Sequence, residues 1–229
     1  MVRDFLQLLL IGSAVRFKRL IEVIRVARRY WGHSHFRSAD LRIVAYYAIH
    51  NPYAICRRFL QAKGARRIHT YGETPLTTLE VIAKRCGLKP EDHLFELGAG
   101  TCRSAFWLAL HLGCRVTAID EIPHFIEVAS AIAHRSRAKN IRFLCADFMR
   151  VDLSSATALY LNGLCLEELA VSAFARRFGQ LLPGAKVVSV GYSLTDYTDD
   201  LRLALIDSFP ASFLWGESEV YVHVWRGDQ

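Results

Sequence analysis

The stretch that decides the fold is residues 93–103, which reads HLFELGAGTCR in one-letter code. Its apolar first half predicts a short β-strand over 93–97, and the residues after it predict a helix over 104–112. Between them, Gly98 and Gly100 allow a sharp turn and a close approach of a ligand to the main chain. The start of the helix adds free N–H groups at the same point. The stretch therefore predicts a strand, a ligand-binding glycine loop and a helix.

Two residues beside the loop indicate which cofactor it holds. NAD sites carry a third glycine where this chain has Arg103. Glu96, two residues before Gly98, would repel a pyrophosphate. The same carboxylate suits S-adenosylmethionine (SAM), which carries an ammonium and a positively charged sulfur. The loop favours SAM over NAD, and the alternative that it is a turn without a ligand stays open.

Acidic residues also follow the next two predicted strands. Asp120 stands 22 residues after Gly98, where an acid hydrogen-bonds ribose hydroxyls in folds of this type. Its other interpretation is a cap for the helix that starts near Pro123. Ala146, Asp147 and Phe148 follow the third strand. Because carboxyl ends of parallel strands share one edge of a sheet, we expect these residues to lie around one ligand.

From residue 74 onward, strands alternate with helices. Such alternation predicts a doubly wound, mostly parallel sheet of seven strands, and the two close strands at the end predict an antiparallel last strand. The expected strands are 93–97, 115–120, 141–145, 158–161, 186–190, 213–215 and 219–225. The expected helices after the glycine loop are 104–112, 125–136, 166–182 and a short one at 201–208, with Thr77 or Thr78 capping an earlier helix.

A different segment precedes this α/β part. Residues 1–72 read as helices over about 4–31 and 38–63, the second interrupted at Asn51-Pro52. They hold 14 Lys and Arg against three acids, whereas the remainder holds 15 basic and 19 acidic residues. We therefore divide the chain into a basic helical N-terminal segment, 1–72, and a catalytic domain, 73–229. The charge suggests a membrane surface, a nucleic acid or an acidic protein as partner, or a solvated face with no partner.

No uncharged stretch reaches the roughly 18–20 residues that cross a bilayer. Apolar residues recur at helical spacing instead, at Phe17, Leu20, Ile21, Ile24 and Ala27. This basic amphipathic helix predicts either peripheral membrane contact through residues 1–31 or packing on the catalytic domain. The six cysteines form no C-x-x-C pair and predict a reducing, cytoplasmic compartment without a disulfide or metal framework.

The acid followed by G-x-G resembles motif I of the class I, Rossmann-like SAM-dependent methyltransferases. Upstream, residues 70–76 read TYGETPL. That loop is similar to one in the protein lysine methyltransferases that act on the mitochondrial adenine nucleotide translocase and ATP synthase c subunit. The resemblance covers about residues 68–225. It implies that Tyr71, Glu73 and Thr74 border the methionine end of SAM, with Asp120 at the ribose and Asp147 at the adenine.

Two departures from the family pattern bear on the substrate. The usual D-L-G-S-G-D-G becomes Glu96–Cys102, ELGAGTC, so the second acid is missing. After the fourth strand the chain reads YLNGLC over 160–165, not the [N/D]-P-P-[Y/F] of methylases acting on adenine or glutamine. Those two substrates are therefore disfavoured.

These observations predict a SAM-dependent methyltransferase with S-adenosylhomocysteine (SAH) as product and a protein lysine side chain as acceptor. A lipid, a small molecule or RNA as acceptor is the first alternative, and a non-catalytic SAM-fold binding module is the second. In-line transfer requires alignment but neither a nucleophile nor a metal. We expect Tyr71, Glu73 and Asn162 to be catalytic, with Tyr192 nearby. We expect the cofactor to be held by Thr74, Glu96, Gly98, Ala99, Gly100, Thr101, Asp120, Glu121, Ala146, Asp147, Phe148 and Asn162.

Overall fold

A computed structural model describes residues 18–65, 71–162 and 166–227. Its described strands form one seven-stranded sheet in the order β3-β2-β1-β4-β5-β7-β6, and only β7 runs antiparallel to the others. The strands are β1 (His93–Leu97), β2 (Arg115–Asp120), β3 (Ile141–Cys145), β4 (Ala158–Leu161), β5 (Lys186–Val190), β6 (Leu203–Phe213) and β7 (Gly216–Trp225). The predicted fold class is confirmed.

The helices are α1 (described over 18–30), α2 (Ser34–Ile49), α3 (Pro52–Ala62), α4 (Leu76–Arg85), α5 (Arg103–Trp107), α6 (Pro123–Ser136) and α7 (Glu168–Ala175). A π-helical turn, Leu108–Leu112, continues α5. The predicted interruption before Pro52 separates α2 from α3, where the Asn51 side chain accepts a hydrogen bond from the Tyr53 N–H. The predicted helical residues 4–17 lie outside the described part. Among the described helices, none has the length and apolarity that a bilayer crossing requires.

Both faces of the sheet are buried, because successive side chains of a strand point to opposite sides. One core contains Leu94 and Val116 with the side chains of α2, α4, α5 and α6. The other contains Phe95 and Leu97 with those of α7 and the segment after it. The parallel register brings the ends of β1, β2 and β4 to one edge, where Leu97 pairs with both Ile119 and Leu161.

The N-terminal helices belong to the first of these cores. Val26 and Tyr30 of α1 and Phe36 of α2 are buried in the same cluster as Leu94 and Trp107. Position 72 therefore does not separate two hydrophobic cores. The division of the chain into segments 1–72 and 73–229 stays a prediction about organisation along the sequence.

The predicted short helix at 201–208 is wrong, because these residues begin β6. Eleven residues, Leu203–Phe213, form this strand and pair with β7 from Leu203↔Trp225 to Phe213↔Gly216. Pro210 disfavours a helix here, and it is tolerated because β6 is an edge strand. The pairing partner lies later in the chain, which local periodicity does not reveal.

Two helix boundaries also differ from the prediction. The helix predicted over 166–182 is shorter, since α7 ends at Ala175 and a 3₁₀ turn, Phe178–Gln180, follows. The predicted cap of α4 by Thr77 or Thr78 is wrong as well. Pro75 is the capping residue, and the carboxylate of Glu22 in α1 accepts hydrogen bonds from the Thr77 N–H (3.0 Å) and hydroxyl (2.7 Å). A carboxylate at a helix N-terminus is favourable, so α1 supplies the cap.

Candidate active site

The glycine loop after β1 turns through two residues with positive φ, Gly98 at 74° and Gly100 at 53°. The N–H groups of Gly98 and Ala99 both donate to the Ile119 carbonyl, at 2.9 Å each, which holds the loop against β2. A Cβ added at Gly98 would meet nothing within 4 Å, whereas one at Gly100 would lie 3.0 Å from Tyr71. The loop thus leaves space beside its main chain at Gly98 and packs tightly at Gly100.

Asp120 fixes this loop from the end of β2. Its two carboxylate oxygens accept hydrogen bonds from the N–H groups of Gly100 and Ile122, both at 2.8 Å. Burial raises the pKa of Asp120, and these two hydrogen bonds oppose the rise. The alternative role of Asp120 as the cap of α6 is wrong, because no described side chain caps this helix and the Ile122 N–H precedes its first turn. The neighbouring Glu121 forms an ion pair with Lys63 across the cleft, at the end of α3.

Glu96 is the most unusual group of the site. The Ser104 hydroxyl donates to its Oε1, while Oε2 is buried without a hydrogen-bond partner among the described residues. Burial is the main cause that raises the pKa of this carboxyl from 4.5 to about 8, and the hydrogen bonds from Ser104 and from the Ala105 N–H oppose it. An ionised Glu96 is costly without a positive neighbour. The position therefore suits a cationic group of a ligand.

The loop before α4 brings three predicted residues together. Tyr71 Oη donates to Glu73 Oε1 at 2.7 Å, and the Thr101 hydroxyl donates to the same oxygen at 3.1 Å. Arg19 of α1 lies 3.5 Å from the other oxygen of Glu73. Burial, followed by the charge of Glu73, raises the pKa of Tyr71 well above its usual value. Tyr71 therefore stays a hydrogen-bond donor that positions Glu73.

Thr74 and Asn162 meet at the end of β4. The Thr74 and Tyr160 hydroxyls lie 2.5 Å apart, and Asn162 Nδ2 donates to Thr74 Oγ1 at 3.4 Å. This contact joins the loop before α4 to the strand that neighbours β1. It leaves the carbonyl oxygen of Asn162 as a hydrogen-bond acceptor.

A cleft of about 880 Å³ runs along the carboxyl edge of the sheet. Its floor and ends include Gly98, Asp120, Glu121, Phe148 and Asn162, and α3 with Trp215 forms the opposite wall. A small cavity of about 50 Å³ adjoins it and is lined by, among others, Glu96, Ala99, Thr101, Glu73 and Thr74. The volume of the cleft is in the range of ligand sites.

Three predicted residues lie outside both cavities. Ala146 and Asp147 are not part of either lining, and the Asp147 carboxylate accepts a hydrogen bond from the Met149 N–H at 2.8 Å, within its own turn. Phe148, next to them, does line the cleft. Tyr192 packs on Tyr197 with ring centroids 5.4 Å apart and also lies outside both linings.

Several site residues escaped the sequence analysis. Arg19 and Glu22 reach the small cavity from α1, and Ser104 and Tyr160 line it as well. Trp215 covers the cleft from the turn between β6 and β7, and a Cβ on Gly72 would lie 2.8 Å from its ring. Tyr160 alone had a local signal, an aromatic at a predicted strand end. The others depend on contacts between distant parts of the chain.

Residues 94–182 match the family model of a methyltransferase domain. Among solved structures, an RNA methyltransferase from Salinibacter ruber in complex with SAH is 23% identical, covers 69% of this chain and 95% of its own, and superposes with a TM-score of 0.55. Geranyl diphosphate C-methyltransferase from Streptomyces coelicolor A3(2), also with SAH, is 13% identical over 66% of this chain and 77% of its own, with a TM-score of 0.55. TrmN from Thermus thermophilus is 18% identical over 64% and 47%, with a TM-score of 0.53. No curated protein matches the chain.

Residues 94–182 are therefore similar to a methyltransferase domain, and the chain has the fold of class I SAM-dependent methyltransferases. The predictions of a methyltransferase and of this fold are confirmed, and the SAH in two of the similar structures agrees with SAM as the predicted cofactor. The finer resemblance to protein lysine methyltransferases is not confirmed by these similarities. The roles of the individual site residues stay predictions.

Proposed function

We propose that the protein binds SAM along the carboxyl edge of β1, β2 and β4 and transfers its methyl group to an amine, the side chain of a protein lysine. The observation that carries the cofactor assignment is the buried carboxylate of Glu96, whose Oε2 has no partner among the described residues. Bound SAM supplies a methyl group on a positively charged sulfur. Glu96 would hold the positive end of SAM beside the loop, and the gain in charge pairing lowers the pKa of Glu96 from about 8.

The rest of the cofactor contacts follow the cleft. Each oxygen of Asp120 receives one backbone N–H and keeps accepting capacity for a ribose hydroxyl. Glu121 lines the same wall and is accessible there. Phe148 offers an apolar surface for the adenine, whereas the Asp147 carboxylate is engaged in its own turn. In this proposal Phe148 contributes more to adenine binding than Asp147.

The charges of the cleft favour an amine acceptor. Its described lining contains the carboxylates Asp120, Glu121 and Glu167 and no Lys or Arg, and one of the three, Glu121, is paired with Lys63 beside the cleft. Such a surface attracts a lysine ammonium and repels a phosphate backbone. An amine must lose a proton before it accepts the methyl group. Glu73, held by Tyr71 and Thr101, is the carboxylate we propose for this step. The Asn162 carbonyl oxygen would orient the amine N–H.

Water exclusion comes from the wall opposite the sheet. Phe59 and Leu60 of α3 face the cleft, and Trp215 closes its end against Gly72. The Trp215 ring is itself stacked on Phe213, with centroids 4.7 Å apart. A fixed apolar wall of this kind keeps solvent from the reacting groups and aligns donor with acceptor.

The second candidate is methyl transfer to RNA, a lipid or a small molecule. The observation that favours it is the excess of exposed Lys and Arg on the helices before the domain, which suits an anionic partner. For the location of the protein, we propose the cytoplasm with peripheral membrane contact through the N-terminal segment. A non-catalytic SAM-binding module stays the third candidate.

A transfer assay with SAM labelled in its methyl group tests this proposal. Lysine-containing proteins, RNA and phospholipid vesicles serve as parallel acceptors for the wild type and Asn162→Ala. Label in protein lysine that falls strongly in the variant supports the proposal. The matched control is Asp207→Asn, which changes a carboxylate of β6 outside the cleft. Label in RNA or lipid assigns the second candidate, and label in no acceptor by a protein that binds SAM supports the third.

A further inference from the structure

Helix α1 buries a different stripe from the one its sequence suggests. Glu22, Val26 and Tyr30, spaced by four residues, are 6%, 0% and 2% exposed and face the catalytic domain. Leu20 and Ile24, from the predicted apolar face, are 57% and 45% exposed. The packing interpretation is thus met by a stripe other than the predicted apolar face. One stripe packs on the domain, and large aliphatic side chains remain on the outside.

Exposed apolar side chains continue onto the next two helices. Leu41 and Ile49 of α2 are 45% and 82% exposed, and Tyr53 at the start of α3 is 42% exposed. We call these residues the helical patch: Leu20, Ile24, Leu41, Ile49 and Tyr53. Two of them, Leu20 and Tyr53, line an open depression of about 450 Å³ between the three helices, together with Val44 and Ala48 of α2. Exposed apolar groups concentrated on neighbouring elements indicate an interaction site.

The charge at the surface of these helices has a single sign. The acids within residues 18–65 are Glu22 and Asp40, and both are buried against the catalytic domain. Three of the ten Lys and Arg in this range, Arg19, Arg29 and Lys63, pair with acids of the domain. The other seven are exposed and have no ion-pair partner among the described residues: Lys18, Arg25, Arg28, Arg37, Arg42, Arg57 and Arg58.

The sequence that leads into α1 has the same character. Phe5–Val15 is an uncharged run of eleven residues, followed by Arg16 and Lys18. Its structure lies outside the described residues, but its composition extends the apolar and basic pattern of the helical patch. Basic residues around exposed aliphatic ones characterise proteins that lie on an anionic membrane surface.

We infer that the helical patch docks on a lipid bilayer that carries anionic headgroups. Leu20, Ile24, Leu41 and Ile49 enter the interface, and the seven unpaired cations contact the headgroups. The docking surface thus extends from the described part of α1 onto α2 and α3. RNA is the less suitable occupant, because binding of single strands relies on aromatic side chains for stacking, and four of the five residues of the patch are aliphatic. The inference concerns binding alone and is independent of the methyl acceptor.

Sedimentation of the full chain with vesicles tests this inference. The probes are phosphatidylcholine vesicles with and without phosphatidylserine, at low and high salt. We expect binding that requires phosphatidylserine and weakens with salt. Ile24→Ser with Ile49→Ser removes one exposed aliphatic group from each of α1 and α2, and Arg25→Glu with Arg28→Glu reverses two charges. Each double variant should weaken partitioning by about tenfold or more.

The matched control combines Leu201→Ser and Arg226→Glu, which are exposed residues at the β6 and β7 end of the sheet. It should sediment like the wild type, and thermal unfolding of each variant confirms that it folds. Binding that both patch variants retain would place the contact elsewhere and overturn the inference. Failure of the wild type to sediment with any vesicle would do the same. Binding of poly(U) that the charge variant loses, without vesicle binding, would assign the surface to RNA.

Discussion

Two buried carboxylates, in two regions of the molecule, have opposite surroundings. Asp40 lies where α2 meets the glycine loop, and Arg103 donates to both of its oxygens, at 2.6 and 3.2 Å. Trp31 adds a third hydrogen bond at 2.9 Å. Glu96 lies at the end of β1, where Ser104 is its hydroxyl donor and no described Lys or Arg forms an ion pair with it. Both carboxylates are almost completely buried, at 0% and 4% exposure.

Of these two carboxylates beside the glycine loop, Asp40 has a role in the fold and Glu96 is available to a ligand. Asp40 and Arg103 neutralise each other within the protein, so this pair fastens the N-terminal helices to the domain. Glu96 has its charge balanced only when a positive ligand arrives. Arg103 occupies the position of the third glycine of a dinucleotide site, and the residue that excludes NAD by sequence thus serves as the partner of Asp40.

The largest effect is expected at Asp40. Replacement by Ala leaves the buried guanidinium of Arg103 without its partner, and loss of one member of such a pair costs about 3–5 kcal/mol of folding stability. Urea unfolding followed by circular dichroism measures this loss. Asp207→Ala, which breaks the exposed pair with Arg85, is the matched control and should change stability little. Equal small losses of stability in Asp40→Ala and Asp207→Ala would show that the buried pair of Asp40 and Arg103 does not stabilise the fold. The contrast between Asp40 and Glu96 would then fail.

Glu96→Gln should show the reverse pattern. The amide keeps the shape and removes a costly buried charge, so we expect unchanged or slightly increased stability of the free protein. Its affinity for SAH should fall by about tenfold or more, since a charge-assisted contact contributes about 1.5–3 kcal/mol. Urea unfolding and calorimetry on the same sample compare the two effects. A variant that unfolds easily but binds SAH normally would show that Glu96 is structural.

The pH dependence of stability tests whether Glu96 is buried without a charge partner. The pKa of Glu96 rises from 4.5 to about 8 on folding, so the folded state binds the proton more tightly. The resulting stabilisation is complete below pH 4.5 and is lost as the pH rises toward 8. We expect the unfolding free energy of the wild type minus that of Glu96→Gln to decrease across this range. Saturating SAH should flatten the decrease, and a difference that is constant with pH would contradict the assignment.

The smallest effects concern the neutral donors to the two carboxylates. Trp31→Phe removes one of three hydrogen bonds to Asp40 and should cost about 1 kcal/mol of stability without changing SAH affinity. Ser104→Ala removes the hydroxyl that donates to Glu96, which raises the pKa of Glu96 further and should weaken SAH binding at neutral pH. Urea unfolding measures the stability of Trp31→Phe and Ser104→Ala, and calorimetry measures their affinity for SAH. Similar affinity losses in both variants would mean that the two donors act on the same site.

The sequence predicted the features that depend on local pattern. Alternating strands and helices predicted the sheet, and Glu96, Gly98, Gly100 and Asp120 were selected as candidates because they stand at or just after strand ends. Most of strand β6 was missed, since only Phe213 of the predicted strand 213–215 belongs to it, and its residues pair with β7, which lies later in the chain. A short mixed segment that contains Pro210 carries little information before its partner is known.

Site residues that come from other parts of the chain were not predictable in the same way. Glu22 caps α4 from 55 residues away, and Asp40 binds Arg103 across 63 residues. The sequence shows the basic and apolar pattern of α1 but does not reveal which stripe the domain covers. The packing of α1 on the domain determines which stripe is buried, and it leaves Leu20 and Ile24 exposed.

Calorimetric titration of the full chain with SAH, with NAD as the comparison ligand, tests whether the protein binds SAM through Glu96. We expect SAH binding by the wild type, a loss of about tenfold or more in Glu96→Gln, and no binding of NAD. Trp31→Phe, with its altered donor at Asp40, should bind SAH like the wild type. Folded wild-type protein that binds neither SAM nor SAH, or binds NAD instead, would contradict the assignment of the site to SAM.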